Sequence, residues 1–137
     1  MAPDTPLNKW FRGVYEDRFA TAPTYPAYHM AQSILGLKSA WDKAAAAKGG
    51  QQPSIDEVVK AFEGIEFEGP SAKIRMAIGN GHQGIADIAY GSFRFNKAEG
   101  RAEIVDIVRY PAECVNPPAN MTSTAWLEAG MPGAKCN

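Results

Sequence analysis

Apolar residues recur at helical spacing in three successive segments of the chain. This periodicity predicts an amphipathic helix over residues 6–19, a long helix over 25–48 and a short helix over 54–63. The apolar stripe of the first helix consists of Leu7, Trp10, Phe11, Val14 and Tyr15, and that of the second of Met30, Ile34, Leu37, Trp41, Ala44 and Ala45. The third helix is predicted to bury Ile55, Val58, Val59 and Phe62.

The ends of these helices carry signals of their own. Ser54 and Glu57 have the S-x-x-E spacing of a capping box, in which each side chain accepts a hydrogen bond from the other residue's backbone N–H. Thr24 or Tyr25 is expected to cap the long helix, and the glycines that follow "KAAAAK" are expected to end it.

The period changes to two after the third helix. Alternating apolar and polar residues predict strands over about 71–78, 85–95 and 102–110. The connection "NKAEG" predicts a hairpin in which Gly100 takes the left-handed position. We therefore predict an α/β chain in which about three helices precede a three-stranded, mainly antiparallel segment.

The last part of the sequence is rich in proline and glycine. We expect residues 113–137 to form an irregular tail with one helical turn near Thr124 to Ala129, after a structured unit over 1–112. Two cysteines, Cys114 and Cys136, lie in this tail without the spacing of a zinc site. Taken alone, the residues leave two free thiols and one disulfide equally open.

Composition and charge remove several classes of partner. The chain has 137 residues, 45% of them apolar, and a formal net charge of −1, with Lys and Arg spread along it. This pattern gives no reason to expect a nucleic-acid partner. No run approaches the roughly 18 apolar residues that span a bilayer. The N-terminal "MAPDTPLNKWF" lacks the basic and apolar regions of an export signal.

The stretch "GNGHQG", residues 79–84, matches the dinucleotide-binding spacing G-x-G-x-x-G. Such a motif needs a helix directly after its glycines, because the pyrophosphate sits on the helix N-terminus. The residues that follow, "IADIAYGSFRF", are typical of a strand. We therefore expect a turn between two strands, and no cofactor.

The residue types that carry catalysis do not form a recognisable set. His82 has no sequence partner that suggests a nucleophile or a base, and a turn histidine bonded to backbone is the simpler interpretation. We therefore expect no enzyme activity and no metal site. Tyr25, Tyr28 and His29 lie together at the start of the long helix, where aromatic side chains either pack or contact a ligand.

Four segments in succession resemble a known family. These are "NKWFRGVYEDRFATAPTYPAYHMAQSILGLKSAWDKA", "FEGIEFEGPSAKIRM", "NGHQGIADIAYGSFRF" and "VDIVRYPAECVNPP". Together they resemble the C-terminal part of the type I periplasmic solute-binding proteins, the branched-chain amino acid and amide class that serves ABC transporters. The junction "FEGIEFEGPSAKIRM" is the most specific of the four, and the resemblance covers about residues 5–137.

The resemblance implies a partial lobe of a larger two-lobed receptor. Such a receptor binds a small solute, an amino acid or an aromatic or other organic acid, by lobe closure in the periplasm and presents it to a membrane permease. Tyr25, Tyr28 and His29 would then line the cleft, and His82 and Gln83 would lie near the hinge strands. The periplasmic setting would also favour a Cys114–Cys136 disulfide.

The resemblance further implies that the helices were shaped to lie against a sheet that this chain does not encode. Large side chains left in water forfeit about 1.5–3 kcal/mol each, so we expect a homo-oligomer, for which exchange of elements between copies is one route. Two alternatives are an interaction module that binds no solute and, less favoured, a small nucleotide-using enzyme built on "GNGHQG".

Overall fold

The structure is a computed structural model that describes residues 4–78 and 81–134. Three helices come first: α1 (Pro6–Phe19), α2 (Tyr25–Ala47) and α3 (Ile55–Phe62). A three-stranded and a two-stranded sheet follow, and two short helices lie in the C-terminal part. This arrangement confirms the predicted α/β class, with helices first, antiparallel strands next and a largely irregular tail.

Side chains cap the starts of α1 and α3, whereas Thr24 occupies the N-cap of α2 without a side-chain capping bond. The Thr5 hydroxyl accepts a hydrogen bond from the backbone N–H of Asn8 at 3.2 Å and so begins α1. The predicted capping box at α3 is present: Ser54 Oγ accepts from the Glu57 N–H at 3.3 Å, and Glu57 Oε2 accepts from the Ser54 N–H at 2.7 Å. The side chain of Lys48, just after α2, also reaches Glu57 at 2.9 Å, which ties the end of α2 to the start of α3.

The strands form two separate antiparallel sheets. β1 (Glu66–Glu68), β2 (Lys73–Ile78) and β3 (Gln83–Ile85) pair in that order. β4 (Ile88–Asn96) and β5 (Arg101–Tyr110) form a long hairpin. In its turn the Asn96 side chain accepts from the N–H groups of Ala98 and Glu99, and Gly100 has the predicted left-handed conformation, with φ of 63°.

Two details of the strand prediction are corrected. The single strand expected over 85–95 is two strands in different sheets, because the chain leaves β2 after Ile85 and joins β5 from Ile88 onwards. The short strand β1 was not expected. It holds its place because its residues pair with Lys73, Ile74 and Arg75 of β2.

The cores are small and consist mainly of short side chains. One core packs α2 on α3 through Ala40, Ala44, Val58 and Ala61, with Phe62 and Ile65 against it. The other packs Ile78 and Ile85 of the three-stranded sheet against Ala112.

The buried face of α2 carries its smaller residues, and the predicted apolar stripe lies largely on the other face. Residues of moderate or small size face α3 and the three-stranded sheet, namely Gln32, Gly36, Ala40 and Ala44. The large apolar residues of the predicted stripe are exposed instead, and so are Trp10 and Val14 of α1. The expectation that these faces lack cover within the chain is therefore met. The prediction that α3 buries Ile55 and Val59 is wrong, because Ile55 is 82% exposed and Val59 is exposed as well.

The β4–β5 hairpin contains a bulge. Register shifts between Tyr90 and Ser92, and Asp106 on the opposite strand has a positive φ of 53°. A Cβ on Gly91 would lie 2.4 Å from Ile104 Cγ2, so only glycine fits beside the bulge.

The C-terminal part holds α4 (Ala112–Val115) and α5 (Ser123–Glu128), the latter close to the predicted helical turn. Trp126 of α5 is buried, and its indole N–H donates to the carbonyl of Pro132 at 3.0 Å. Cys114 is buried in α4 and is not a free thiol. Cys136 lies outside the described residues, so the pairing of the two stays a prediction, as does the division at residue 112.

Candidate functional site

An open groove of about 980 Å³ runs between α2 and the β-strands. The first three turns of α2 form one wall, and residues of β1, β2 and β3 form the other. Its apolar floor includes Phe67, Ile74 and Met76. Polar residues, among them Gln32 and Ser71, share the lining with these apolar ones.

Tyr25 and His29 form a pair of rings at the mouth of the groove. They lie one helical turn apart on α2, and their ring centroids are 4.0 Å apart at 42°. Thr24 precedes them as the N-cap residue, and Pro26 occupies the first turn. Both rings are exposed, so a flat solute could stack on them without displacing protein atoms.

Tyr28 is the more enclosed of the three aromatic candidates. Its hydroxyl donates to Asn8 Oδ1 at 3.1 Å, and its ring packs against Phe11 with centroids 5.1 Å apart. Burial raises the pKa of Tyr28, while the positive charge of Arg12 opposes the shift. Tyr28 therefore lines the groove and, through its contacts with Asn8 and Phe11, fixes α1 to α2.

The wall next to Tyr28 is held by a side-chain hydrogen bond across the groove. The amide nitrogen of Gln32, which is 6% exposed, donates to Ser71 Oγ at 2.7 Å. One turn further on, Gly36 lets the Phe67 ring approach so closely that a Cβ would lie 2.7 Å from its Cζ. These two contacts set the distance between α2 and the sheet.

Two opposite charges also line the groove, Asp87 before β4 and Arg109 near the end of β5. Asp87 Oδ1 accepts from the Ala112 N–H at 3.0 Å and so fixes the start of α4. Asp87 and Arg109 also border a smaller adjoining cleft of about 390 Å³, whose other walls carry the ion pairs Lys73–Glu66 and Arg75–Glu113. The hydrogen bond from Lys73 lowers the pKa of Glu66, so that carboxylate stays charged in mildly acidic solution.

The predicted site residues fall into two places. Tyr25, Tyr28 and His29 line the groove, whereas His82 and Gln83 are not among its lining residues. His82 Nε2 lies 3.6 Å from Glu63 Oε1 at the end of α3, and Gln83 begins β3. The hydrogen bond from Lys60 lowers the pKa of Glu63, and His82 adds to this effect. A role in ligand binding stays a prediction for all five residues.

The glycine motif joins two strands. Gly79 and Asn80 lie outside the described residues, and Gly81, with φ of 85°, begins a turn that leads directly into β3. A strand therefore follows the glycines, as predicted, and no helix N-terminus is available there for a pyrophosphate.

Residues 4–78 and 81–134 contain no group of three or more His, Cys, Asp or Glu side chains that could hold a metal ion. Within the same ranges, no helix has the length and apolar character needed to cross a bilayer.

Sequence reasoning missed several residues that shape the groove, above all Gln32, Gly36 and Phe67. A signal for the first two was present, because Tyr28, Gln32 and Gly36 lie four residues apart on one helix face. Asp87 and Arg109 gave no local signal. The fold brings them together from positions 22 residues apart in sequence.

The architecture is an α/β unit with an open groove between a helix and a sheet. The chain superposes on an ABC-type branched-chain amino acid transporter from Rhodopseudomonas palustris with a TM-score of 0.69 at 21% identity, covering 88% of this chain and 31% of that one. It also matches an ABC transporter from Rhodopseudomonas palustris with a TM-score of 0.54 at 20% identity, covering 72% and 28%.

At these identities the likeness shows the fold, and it confirms the predicted resemblance to part of a solute-binding protein. This chain spans less than a third of the length of either structure. No protein-family model matches the sequence, and no curated protein matches it significantly.

Proposed function

We propose that this chain is a C-terminal portion of the solute-binding component of an ABC importer. One observation carries the proposal: Tyr25, Tyr28 and His29 converge on a groove in a chain whose fold matches part of ABC transport proteins. The protein binds its solute without converting it, closes around it and presents it to a membrane permease. The periplasmic location and the permease partner are parts of the same proposal.

The proposed solute is an amino acid or a small aromatic or other organic acid. The exposed rings of Tyr25 and His29 offer a stacking surface above the apolar floor. Arg109 and Asp87 give the groove lining one positive and one negative side chain, which suits a solute that carries both a carboxylate and an ammonium group. An amino acid satisfies both charges, and an aromatic acid uses the rings together with Arg109.

A thermal-shift screen followed by calorimetry tests the proposal. The full chain is screened against the twenty amino acids, benzoate and hydroxybenzoates, short organic acids, and the nucleotides NAD and FAD. A solute at a hundred times its dissociation constant stabilises a protein by about 2.7 kcal/mol, which raises the melting temperature by several degrees. Stabilisation by an amino acid or an organic acid is the expected result.

The two histidines of the chain provide a matched pair of variants. His29→Ala, inside the groove, is expected to weaken the binding of the solute found in the screen by about tenfold, since it removes one ring of the stacked pair. His82→Ala, at a predicted site residue outside the groove lining, is expected to weaken binding less than His29→Ala does. Equal losses in both variants would contradict the assignment of the groove.

The two alternative functions give different results in the same screen. Stabilisation by NAD or FAD alone would favour the nucleotide-using enzyme. No stabilisation by any compound would favour an interaction module that binds no solute, and this outcome would overturn the proposal.

A further inference from the structure

Gln32 is a polar side chain that the fold encloses beside the groove. Only 6% of its surface is exposed, yet it belongs to the groove lining. Its amide nitrogen donates to Ser71 Oγ at 2.7 Å. Its stem packs so closely against the turn between β1 and β2 that a Cβ on Gly69 would lie 2.6 Å from Gln32 Cγ. These two contacts hold the side chain in one conformation, as a residue that selects a ligand requires.

The amide oxygen of Gln32 is the part of the side chain that has no partner. Among residues 4–78 and 81–134, no donor forms a hydrogen bond with Gln32 Oε1. In the same ranges, every fully buried side-chain oxygen or nitrogen has a partner, so Oε1 is not sealed within the protein. The small exposed fraction of Gln32 therefore includes this oxygen. Because Gln32 lines the groove, the oxygen is reached from the groove.

An acceptor in such a position restricts what can bind beside it. A polar atom that is largely withdrawn from water destabilises the protein unless a donor meets it. In solution water supplies that donor, and a solute that displaces the water must supply one of its own. A solute with an N–H group does so, whereas a carboxylate oxygen in the same place would meet a second acceptor.

The charged residues of the groove lie near this acceptor. Ser71 lines both the groove and the adjoining smaller cleft, and the same is true of Asp87 and Arg109. These three residues therefore lie where the two cavities meet, and Gln32 is hydrogen-bonded to one of them. The ammonium and carboxylate groups of an amino acid fit this junction, and its side chain is left to the apolar floor of the groove.

We propose that Gln32 is a specificity-determining residue of the groove, whose amide oxygen accepts a hydrogen bond from the ammonium group of the solute. This inference rests on the proposed solute-binding function and narrows it, because it makes the groove select amino acids over the corresponding acids that lack nitrogen. Ser71 holds the Gln32 amide in place and is a positioning residue.

Calorimetry with two pairs of solutes tests this role in the full chain. L-leucine is compared with 4-methylpentanoate, and L-phenylalanine with 3-phenylpropanoate, so that the members of each pair differ only in the ammonium group. We call the ratio of the two dissociation constants of a pair its amino selectivity. For at least one pair, the wild type is expected to bind the amino acid at least about tenfold more tightly, as one hydrogen bond to a charged group provides.

Two variants separate the oxygen of Gln32 from the shape of its side chain. Gln32→Met has a similar length but no amide oxygen, and it is expected to lower the amino selectivity by about tenfold through weaker binding of the amino acid. Gln32→Glu keeps an oxygen acceptor whether or not its carboxyl group is ionised, so it is expected to retain or increase the selectivity. Gln52→Met is the matched control, since Gln52 is exposed and is not among the groove-lining residues, and it is expected to bind all four solutes like the wild type.

Ser71→Ala is a second, milder test that leaves Gln32 itself intact. It removes the support of the amide and is expected to lower the amino selectivity by about threefold. Circular dichroism checks that each variant is folded, and Ser71→Ala decides the question if Gln32→Met is not.

A structural role of Gln32 alone would give a different result, because a displaced α2 would weaken the binding of both members of a pair equally. Equal losses in Gln32→Met, unchanged selectivity in Ser71→Ala, or lost selectivity in Gln32→Glu would overturn the inference and leave the proposed function standing. A wild type that binds the acids as tightly as the amino acids, or that binds none of the four solutes, would overturn the inference as well. The proposed function falls only if the wider thermal-shift screen also finds no solute.

Discussion

The two faces of α2 have opposite environments although they belong to one helix. The face with Gln32, Gly36, Ala40 and Ala44 is buried against α3 and the three-stranded sheet. The face with Met30, Ile34, Leu37 and Trp41 carries much larger apolar side chains and lies in solvent. Hydrophobicity alone would assign these faces the other way round.

The difference shows that close approach, rather than side-chain size, decides which face packs within this chain. The Phe67 ring sits directly on Gly36, and the β1–β2 turn at Gly69 sits so close to Gln32 that a Cβ there would lie 2.6 Å from Gln32 Cγ. Glycine at positions 36 and 69 allows these contacts, and a larger side chain at either position would prevent them. The large residues are therefore left for a partner or for another part of a longer fold.

The strongest test of this difference compares two neighbouring residues. Gly36→Leu places a large side chain where the Phe67 ring already lies, and we expect a loss of about 3 kcal/mol in the free energy of unfolding. Leu37 is the next residue and lies on the exposed face. Leu37→Ala is therefore expected to change the free energy of unfolding by less than about 0.5 kcal/mol. Urea unfolding in dilute protein, where any dimer has dissociated, measures both.

Equal stability of the two variants would contradict the difference between the two faces, because position 36 would then accept a large side chain as readily as a surface position does. Gly36→Ala refines the result. Its Cβ meets only the end of the Phe67 ring, and alanine favours the helix by about 1 kcal/mol, so a smaller loss than that of Gly36→Leu is expected.

A second neighbouring pair tests the polar contact of the buried face. Gln32→Ala removes the hydrogen bond to Ser71 and is expected to cost about 1–2 kcal/mol of stability. Ser33→Ala, one residue further and exposed, loses only a bond to the His29 carbonyl and is expected to be neutral within about 0.5 kcal/mol. Chemical denaturation of Gln32→Ala, of Ser71→Ala and of the double variant gives the coupling energy between Gln32 and Ser71, which should be close to zero if the bond does not form.

The helix that supports the buried face of α2 depends on its cap. Ser54→Ala removes the acceptor for the Glu57 N–H and is expected to destabilise the protein by about 1 kcal/mol. Thr24 is the matched control, because it occupies the N-cap of α2 without making a side-chain capping bond. Thr24→Ala is expected to shift the melting temperature by a much smaller amount, and equal shifts would show that the Ser54 bond contributes nothing.

Most of the fold was predictable from local patterns. The three helices and the hairpin over β4 and β5 follow from periodicity, capping residues and turn chemistry, which are all encoded in neighbouring residues. The break at Ala86–Asp87 was not predictable, because it depends on β3 and β4 joining different partners. The exposure of Ile55 was missed for a related reason. Its helix is amphipathic, but only the residues that face α2 pack against another part of the chain.

The candidate site was predictable only in part. Tyr25, Tyr28 and His29 lie close together in sequence and on one part of a helix, so local reasoning could single them out. Asp87 and Arg109 join them through β-strand pairing, and such long-range placement leaves no mark in a single sequence. His82 attracted attention through its glycine-rich surroundings, yet it lies at the end of α3 beside Glu63.

The smallest expected effect is a pH dependence at the junction of α2 and α3. The hydrogen bond from the Ser54 N–H, helped by Lys48, lowers the pKa of Glu57 below its usual value of 4.5. A carboxyl group whose pKa is lower in the folded state than in the unfolded state stabilises the folded state at pH values above the unfolded-state pKa. This contribution is lost as the pH falls through the pKa of the folded state. Glu57→Gln keeps the capping geometry but cannot titrate, so its urea midpoint should fall less than that of the wild type between pH 7 and pH 3. A Glu57→Gln profile parallel to that of the wild type would show that this contact does not couple the two helices to pH.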